Sequence, residues 1–310
     1  MDAEGANNPG SVCAPGVRAT VVSSAAAEPD AAALAQAYEF CARVARSHYE
    51  NFTVASYLMP RAMRKHMHAI YAYARMADDF ADEEHDPAKL DQWEHELDLA
   101  YAGAPRHPVF VALADTARRF DIPREPFADL LRAFRFDLDF QGFETLDDLL
   151  GYSRYSANPV GRLVLYLFGY RDAERQRLSD EVCSGLQLAN FWQDVAVDLE
   201  KGRVYLPRRD LARFGVSVED LRVHNASSNF VALMRHEVSC ARELLRSGAT
   251  LAAMVDRRLS RDIRMFAGGG LAILRAIERA GYDVFRRRPA LGKLDYLRLG
   301  WRALRGRLEI

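Results

Sequence analysis

The stretch "ARMADDFADEEH" (residues 74–85) sets five acidic side chains between positions 78 and 84 of a segment with helical periodicity. Like charges one turn apart repel on a helix. Such a run is either a solvated outer face or a site that needs its negative charge. At 100° per residue, Tyr71, Arg75, Asp78 and Asp82 fall on one stripe, with Asp79 at its edge. A second stretch, "QLANFWQDVAVDLEKGRVYLP" (187–207), repeats the pattern, because Gln187, Asn190, Asp194 and Asp198 also share one face. Its surroundings are apolar: Leu186, Leu188, Phe191, Trp192, Val195 and Val197. Carboxylates on such an inner face cost roughly several kcal/mol each unless something compensates them. Mg²⁺ does so through hard oxygen ligands, and it completes its shell with water and substrate phosphates. Two acidic stripes facing each other across a helical bundle therefore predict a diphosphate held through bridging ions, Mg²⁺ first and Mn²⁺ as the alternative.

The rest of the chain fits such a bundle. Residues 1–33, rich in Ala, Gly, Pro and Ser, read as a disordered tail. Beyond them helix-period patterns dominate and strand-like alternation is almost absent. The spacing predicts helices over about 34–49, 61–84, 87–101, 107–120, 124–139, 145–156, 159–169, 172–199, 208–213, 228–256, 260–281 and 293–305, by the periodicity and punctuation rules for single sequences. Breaks are expected at Pro60, Pro87, Pro105, Pro123, Pro207 and Pro289. No Pro/Gly/Ser-rich linker divides residues 34–310, so one all-α domain is expected.

Composition narrows the function classes. A 310-residue chain with 49% hydrophobic and 27% charged residues is an ordinary globular protein. A formal net charge of −1 gives no field for nucleic acid. Cys13, Cys41, Cys183 and Cys240 never form a CxxC pair, which fits free thiols in a reducing cytosol. The N-terminus "MDAEGANNPG" lacks the features of a secretory signal, and "LVLYLF" (163–168) is too short to cross a bilayer. A cytoplasmic protein is expected, peripheral at the inner membrane face if it meets lipid at all. The C-terminus supplies a means. From Arg286 onward, eight basic residues stand against two acidic ones. Leu294, Leu297, Trp301, Leu304 and Leu308 form an apolar stripe with Arg298, Arg302 and Arg305 off it, as in a basic amphipathic helix at a membrane surface.

The two acidic segments, with "SHYENFTVASYLMP" (47–60), "YSANPVG" (155–161) and "AGYDVFRRRP" (280–289), resemble the signatures of the squalene/phytoene synthase family, head-to-head prenyl transferases of the all-α isoprenoid synthase fold. The resemblance implies a single helical bundle around a central cavity. It implies Asp78, Asp79, Asp82, Asn190, Asp194 and Asp198 as Mg²⁺ ligands. His48, Glu50, Asn51, Phe52, Tyr71, Arg75, Gln187, Asn190, Tyr205 and Tyr282 would line the substrate. Phe52, Tyr71, Phe134, Phe136 and Tyr166 are expected to wall a carbocation. Two positions depart from the commonest pattern. Gln193 stands where many members have Arg, and Tyr49, Glu50 and Asn51 stand where many have serines. Losing a guanidinium and gaining a carboxylate weakens the hold on a second diphosphate. "ENFTVAS" with "NFWQDVAVD" is most similar to the bacterial hopanoid-pathway hydroxysqualene synthases, which turn presqualene diphosphate, a C30 isoprenoid diphosphate, and water into hydroxysqualene and diphosphate. No NADPH is expected. The rivals are a synthase condensing two farnesyl or geranylgeranyl diphosphates, and a non-catalytic relative acting in assembly. His66 and His68, two residues apart, point to different helix faces and read as structural. "AGGG" (267–270) follows no strand and reads as close helix packing or a kink, while Pro159 with Gly161 reads as a helix break.

Overall fold

The chain folds into helices whose ends are written in its caps. The computed structural model describes residues 30–47 and 59–292. In chain order the helices are α1 (Ala31–Ser47), α2 (Arg61–Asp82), α3 (Pro87–Tyr101), α4 (Pro108–Phe120), α5 (Glu125–Leu138), α6 (Leu146–Ser156), α7 (Asn158–Leu167), α8 (Ala173–Gln193), α9 (Val195–Glu200), α10 (Arg208–Arg213), α11 (Val218–Arg222), α12 (Ser228–Gly248) and α13 (Arg257–Arg279). Among the described residues there is no strand. The all-α expectation holds, and the prolines named above lie at or between helices. Asp86 and Asp172 accept hydrogen bonds from the first turns of α3 and α8, and Thr145 with Asp148 forms a capping box before α6.

Three boundaries differ from expectation. The helix predicted over 172–199 is interrupted at Asp194, which leaves helical geometry for a single residue. The register survives, because Asp194 N–H donates to the Asn190 carbonyl (2.9 Å) and Asp198 N–H to that of Asp194 (2.8 Å). The stretch 228–256 ends as a helix at Gly248, continues as a 3₁₀ turn (Ala249–Ala253), and gives way to α13, capped by Asp256. The expected break at Pro159 and Gly161 falls instead at Ala157. Pro159 occupies the first turn of α7, where its missing N–H costs nothing. The short helix α11, opened by a Ser217–Asp220 capping box, was not expected. The disordered N-terminal tail and the amphipathic C-terminal helix expected from the sequence fall largely outside the described residues, although Ala31–Ala33 already belong to α1.

Two large cores organise the bundle. The first gathers α1 to α4 around α2, where Tyr73 packs edge-on to Phe110 and Phe127 and its hydroxyl donates to the Phe127 carbonyl (2.8 Å). Here His66 is a core histidine, hydrogen-bonded through Nδ1 to Tyr38 (2.8 Å) and Thr116 (2.9 Å). Burial lowers its pKa to about 4, so it stays neutral at ordinary pH. The second core gathers α6, α8, α12 and α13 around Trp192 and Phe230. Helix α5 belongs to both, with Leu130 and Leu131 in the first and Ala133 in the second. The two acidic stripes thus rise from different cores. No helix among the described residues is long and apolar enough to cross a membrane.

Candidate active site

Helix α2 carries the first stripe in the expected register. The Arg75 guanidinium lies at its centre: Nη1 donates to Asp78 (3.2 Å), and Nη2 lies 2.6 Å from Asp79 Oδ1 and 2.9 Å from Glu83. Burial opposes the Arg75 charge, but Asp79 and Asp78 outweigh it and hold its pKa above the usual value. Tyr71 is close enough to act on the same guanidinium. Asp82 finds its partner elsewhere in the chain, accepting from Arg203 Nη2 at 2.9 Å.

The second stripe is held from behind by its own helix and in front by arginines. Gln187 donates to Ser156 Oγ (3.1 Å), tying the stripe to the "YSANPVG" segment, while Asn190 is exposed. Arg288 forks onto Asp194, from Nε to Oδ1 and from Nη2 to Oδ2 (2.9 Å). Burial, and then Asp194, push the Asp198 carboxyl up to about 6 against Lys201, Arg203 and Arg288. Arg203 therefore acts on both stripes, paired with Asp82 and felt by Asp198. Here the two stripes meet.

Sequence reasoning missed four residues of this site: Asp137, Tyr152, Arg203 and Arg288. Tyr152 donates to both oxygens of Asp137 (2.9 and 3.0 Å). Burial pushes Asp137 up to about 6; Tyr152 and Arg203 pull it down while Asp82 and Asp78 push it further up. This acid belongs to neither stripe, and the only signal for it was a carboxylate among aromatics in "FRFDLDF". Arg203 stood within the quoted second segment without a role.

The aromatic wall also differs from expectation. Phe136 is there, stacked on Phe143 (5.5 Å) and beside Tyr152 (5.2 Å). Its companions are Phe140, Phe191 and Tyr205, the last two stacked at 3.7 Å. Phe134 and Tyr166 instead pack on the first core, and Tyr166 is engaged by Gln176 and Arg171. Tyr282 lies against the second core under Arg235 (5.5 Å), in a left-handed backbone conformation. Helical periodicity gives no sign of such loop placement. His48, Glu50, Asn51 and Phe52 lie outside the described residues.

Among the described residues, no three acidic, histidine or cysteine side chains already converge on one point as metal ligands. Arg75 engages Asp78, Asp79 and Glu83, Arg203 engages Asp82 and Arg288 engages Asp194. In kind, however, the donors suit a hard divalent cation: five carboxylates and an amide, all oxygen ligands. Asp198 and Asp137 are raised chiefly by burial, which makes their charged forms costly, and a bound cation would relieve that cost.

Comparison with known proteins gives the family. The family model described as squalene/phytoene synthase matches residues 45–295. The 15-cis-phytoene synthase of Synechocystis sp. is 32% identical, over 87% of this chain and 86% of its own. The phytoene synthase of Thermus thermophilus is 35% identical, over 80% and 86%. Among solved structures, squalene synthase HpnC from Alicyclobacillus acidocaldarius superposes with a TM-score of 0.78 at 44% identity, over 80% of this chain and 95% of that one. A dehydrosqualene synthase in complex with ligand gives 0.81 at 26% identity, over 88% and 97%. With both acidic stripes in place and the match running through nearly the whole described fold, the chain belongs to the squalene/phytoene synthase family.

Proposed function

We propose that the protein is a hydroxysqualene synthase, converting presqualene diphosphate and water to hydroxysqualene and diphosphate. The observation that carries the reading is the meeting of the two acidic stripes at Arg203, beside the wall of Phe136, Phe191 and Tyr205. The choice of product is supported by the 44% identity to the HpnC structure and by the resemblance of "ENFTVAS" with "NFWQDVAVD" to hydroxysqualene synthases. Asp78, Asp79 and Asp82 would hold Mg²⁺ on one side, and Asn190, Asp194 and Asp198 on the other. Bound Mg²⁺ supplies charge neutralisation for the departing diphosphate. Arg75, Tyr71 and Gln187 orient the diphosphate end. The aromatic faces stabilise the cyclopropylcarbinyl cation left when the C–O bond ionises, and it rearranges with ring opening to an allylic cation. Water then adds to that cation and must lose a proton. With a pKa of about 6, Asp137 is suited to accept it, and Tyr152 holds its carboxylate in place. Glu50 is the alternative acceptor. A C30 substrate partitions into lipid, which gives the basic C-terminal sequence a reason to dock at a membrane.

A second reading, condensation of two prenyl diphosphates, is favoured by the phytoene synthase names of the curated relatives. One experiment separates them. With presqualene diphosphate and Mg²⁺ in H₂¹⁸O, the expected product is hydroxysqualene carrying one labelled oxygen, unchanged by NADPH. Squalene made with NADPH, or a C40 product from geranylgeranyl diphosphate alone, would overturn the assignment. Absence of diphosphate release from any of these substrates would favour an assembly role.

A further inference from the structure

Gln193 looks like a lost cation in the sequence, but the structure gives its amide two partners. Its Oε1 accepts from Arg288 Nη2 (3.3 Å), and its Nε2 donates to the Pro289 carbonyl. The guanidinium that many relatives carry next to this aspartate is thus present, delivered from 94 residues further along the chain. The segment bringing it is well seated. Val284 and Pro289 are buried, and the N–H groups of Phe285 and Arg286 donate to Asp283 (3.2 and 3.1 Å). Arg288 itself is about half exposed.

The fork takes up a lone pair on each oxygen of Asp194. A divalent ion bound to the same oxygens would meet a fixed positive charge at close range. Guanidinium and ion therefore compete for one carboxylate. Because Gln193 Nε2 anchors the segment at the Pro289 carbonyl, the Arg288 side chain can leave Asp194, giving up its contact with Gln193 Oε1, without the backbone moving.

We propose that Arg288 is a displaceable counter-ion for Asp194, anchored through Gln193 and Pro289, that yields the carboxylate to a divalent cation and turns its guanidinium to the diphosphate bound there. The proposal rests on the metal and diphosphate reading of the acidic stripes. It makes Arg288 a positioning residue on the free site and a phosphate contact on the loaded one.

Mn²⁺ binding to the full-length chain without substrate, followed by the electron paramagnetic resonance of the free ion, tests it. Arg288→Gln should bind Mn²⁺ alone about three- to tenfold more tightly than wild type, since a competitor is gone. At saturating Mn²⁺ it should hold inorganic diphosphate at least about tenfold more weakly, the loss of one charge-assisted contact. A folded Arg288→Gln with unchanged or weaker Mn²⁺ affinity overturns the proposal and leaves Arg288 as a structural staple. If that variant does not fold, Arg288→Lys decides, because it keeps the charge and loses the fork. Tighter Mn²⁺ binding than wild type supports displacement, and equal or weaker binding overturns it. Asp194→Asn separates the underlying reading. Should it bind Mn²⁺ as well as wild type does, the metal assignment itself fails and the proposal falls with it.

Discussion

Glu237 lies wholly buried on α12, and neither of its carboxylate oxygens has a hydrogen-bond partner. Burial, with a smaller push from Asp210, raises its pKa from 4.5 to about 8, so the group is neutral at pH 7. The unfolded chain gives up this proton near pH 4.5 and the folded chain only near 8. Across that window the folded state binds more protons, so its stability falls as pH rises. The slope from this one group approaches about 1.4 kcal/mol per pH unit. Glu237→Gln cannot ionise. Denaturant melts should therefore show the variant losing less stability than wild type between about pH 5 and 8. Parallel curves would mean that Glu237 is already charged and solvated. This acid is far from obvious in the sequence, because nothing in "LMRHEVSC" distinguishes an inward Glu from the charges beside it.

At the scale of elements, α8 and α12 run antiparallel and touch through glycine. A Cβ on Gly248 would come 2.6 Å from the Val182 backbone nitrogen and 2.7 Å from the Leu178 carbonyl oxygen. One on Gly185 would meet the Leu245 side chain at 2.7 Å, and one on Gly269 would meet nothing. Backbone cannot step aside as a side chain can. Gly248→Ala should cost about 1–3 kcal/mol despite alanine's better helix propensity, and Gly185→Ala less. Gly269→Ala should be neutral or stabilise by up to about 1 kcal/mol. Thermal melts of the three variants would check the order, and a destabilised Gly269→Ala would contradict it. The series also refines the reading of "AGGG", since close packing holds at Gly270, against Leu186 and Leu245, but not at Gly269. Helices and their prolines were legible because periodicity and caps are local signals. So was the shared face of each acidic stripe. The break at Asp194 was not legible, because the hydrogen bonds to Asn190 and from Asp198 keep the pattern continuous across it. Nor were Arg203 and Arg288, whose roles come from loops brought in by tertiary packing.

For the whole molecule, the decisive arrangement is that the stripes stand on separate cores. Ions and diphosphate bridging them would bind only the state in which both halves are assembled. Mg²⁺ with inorganic diphosphate should then raise the melting temperature, by linkage worth about 2.7 kcal/mol at a hundredfold excess over Kd. Asp78→Ala should abolish that rise while leaving the unliganded melt near wild type; a rise that persists would place the ligand elsewhere. The halves are not free to part, however. Helix α5 is packed into both cores and carries Phe136 and Asp137 at its end. With one rigid rod common to both sides, the site has no jaw to open. A change in such a site would be a shear of packed helices rather than a hinge. The gap between the stripes is therefore tied to the seating of α5, through Leu130 and Leu131 on one core and Ala133 on the other.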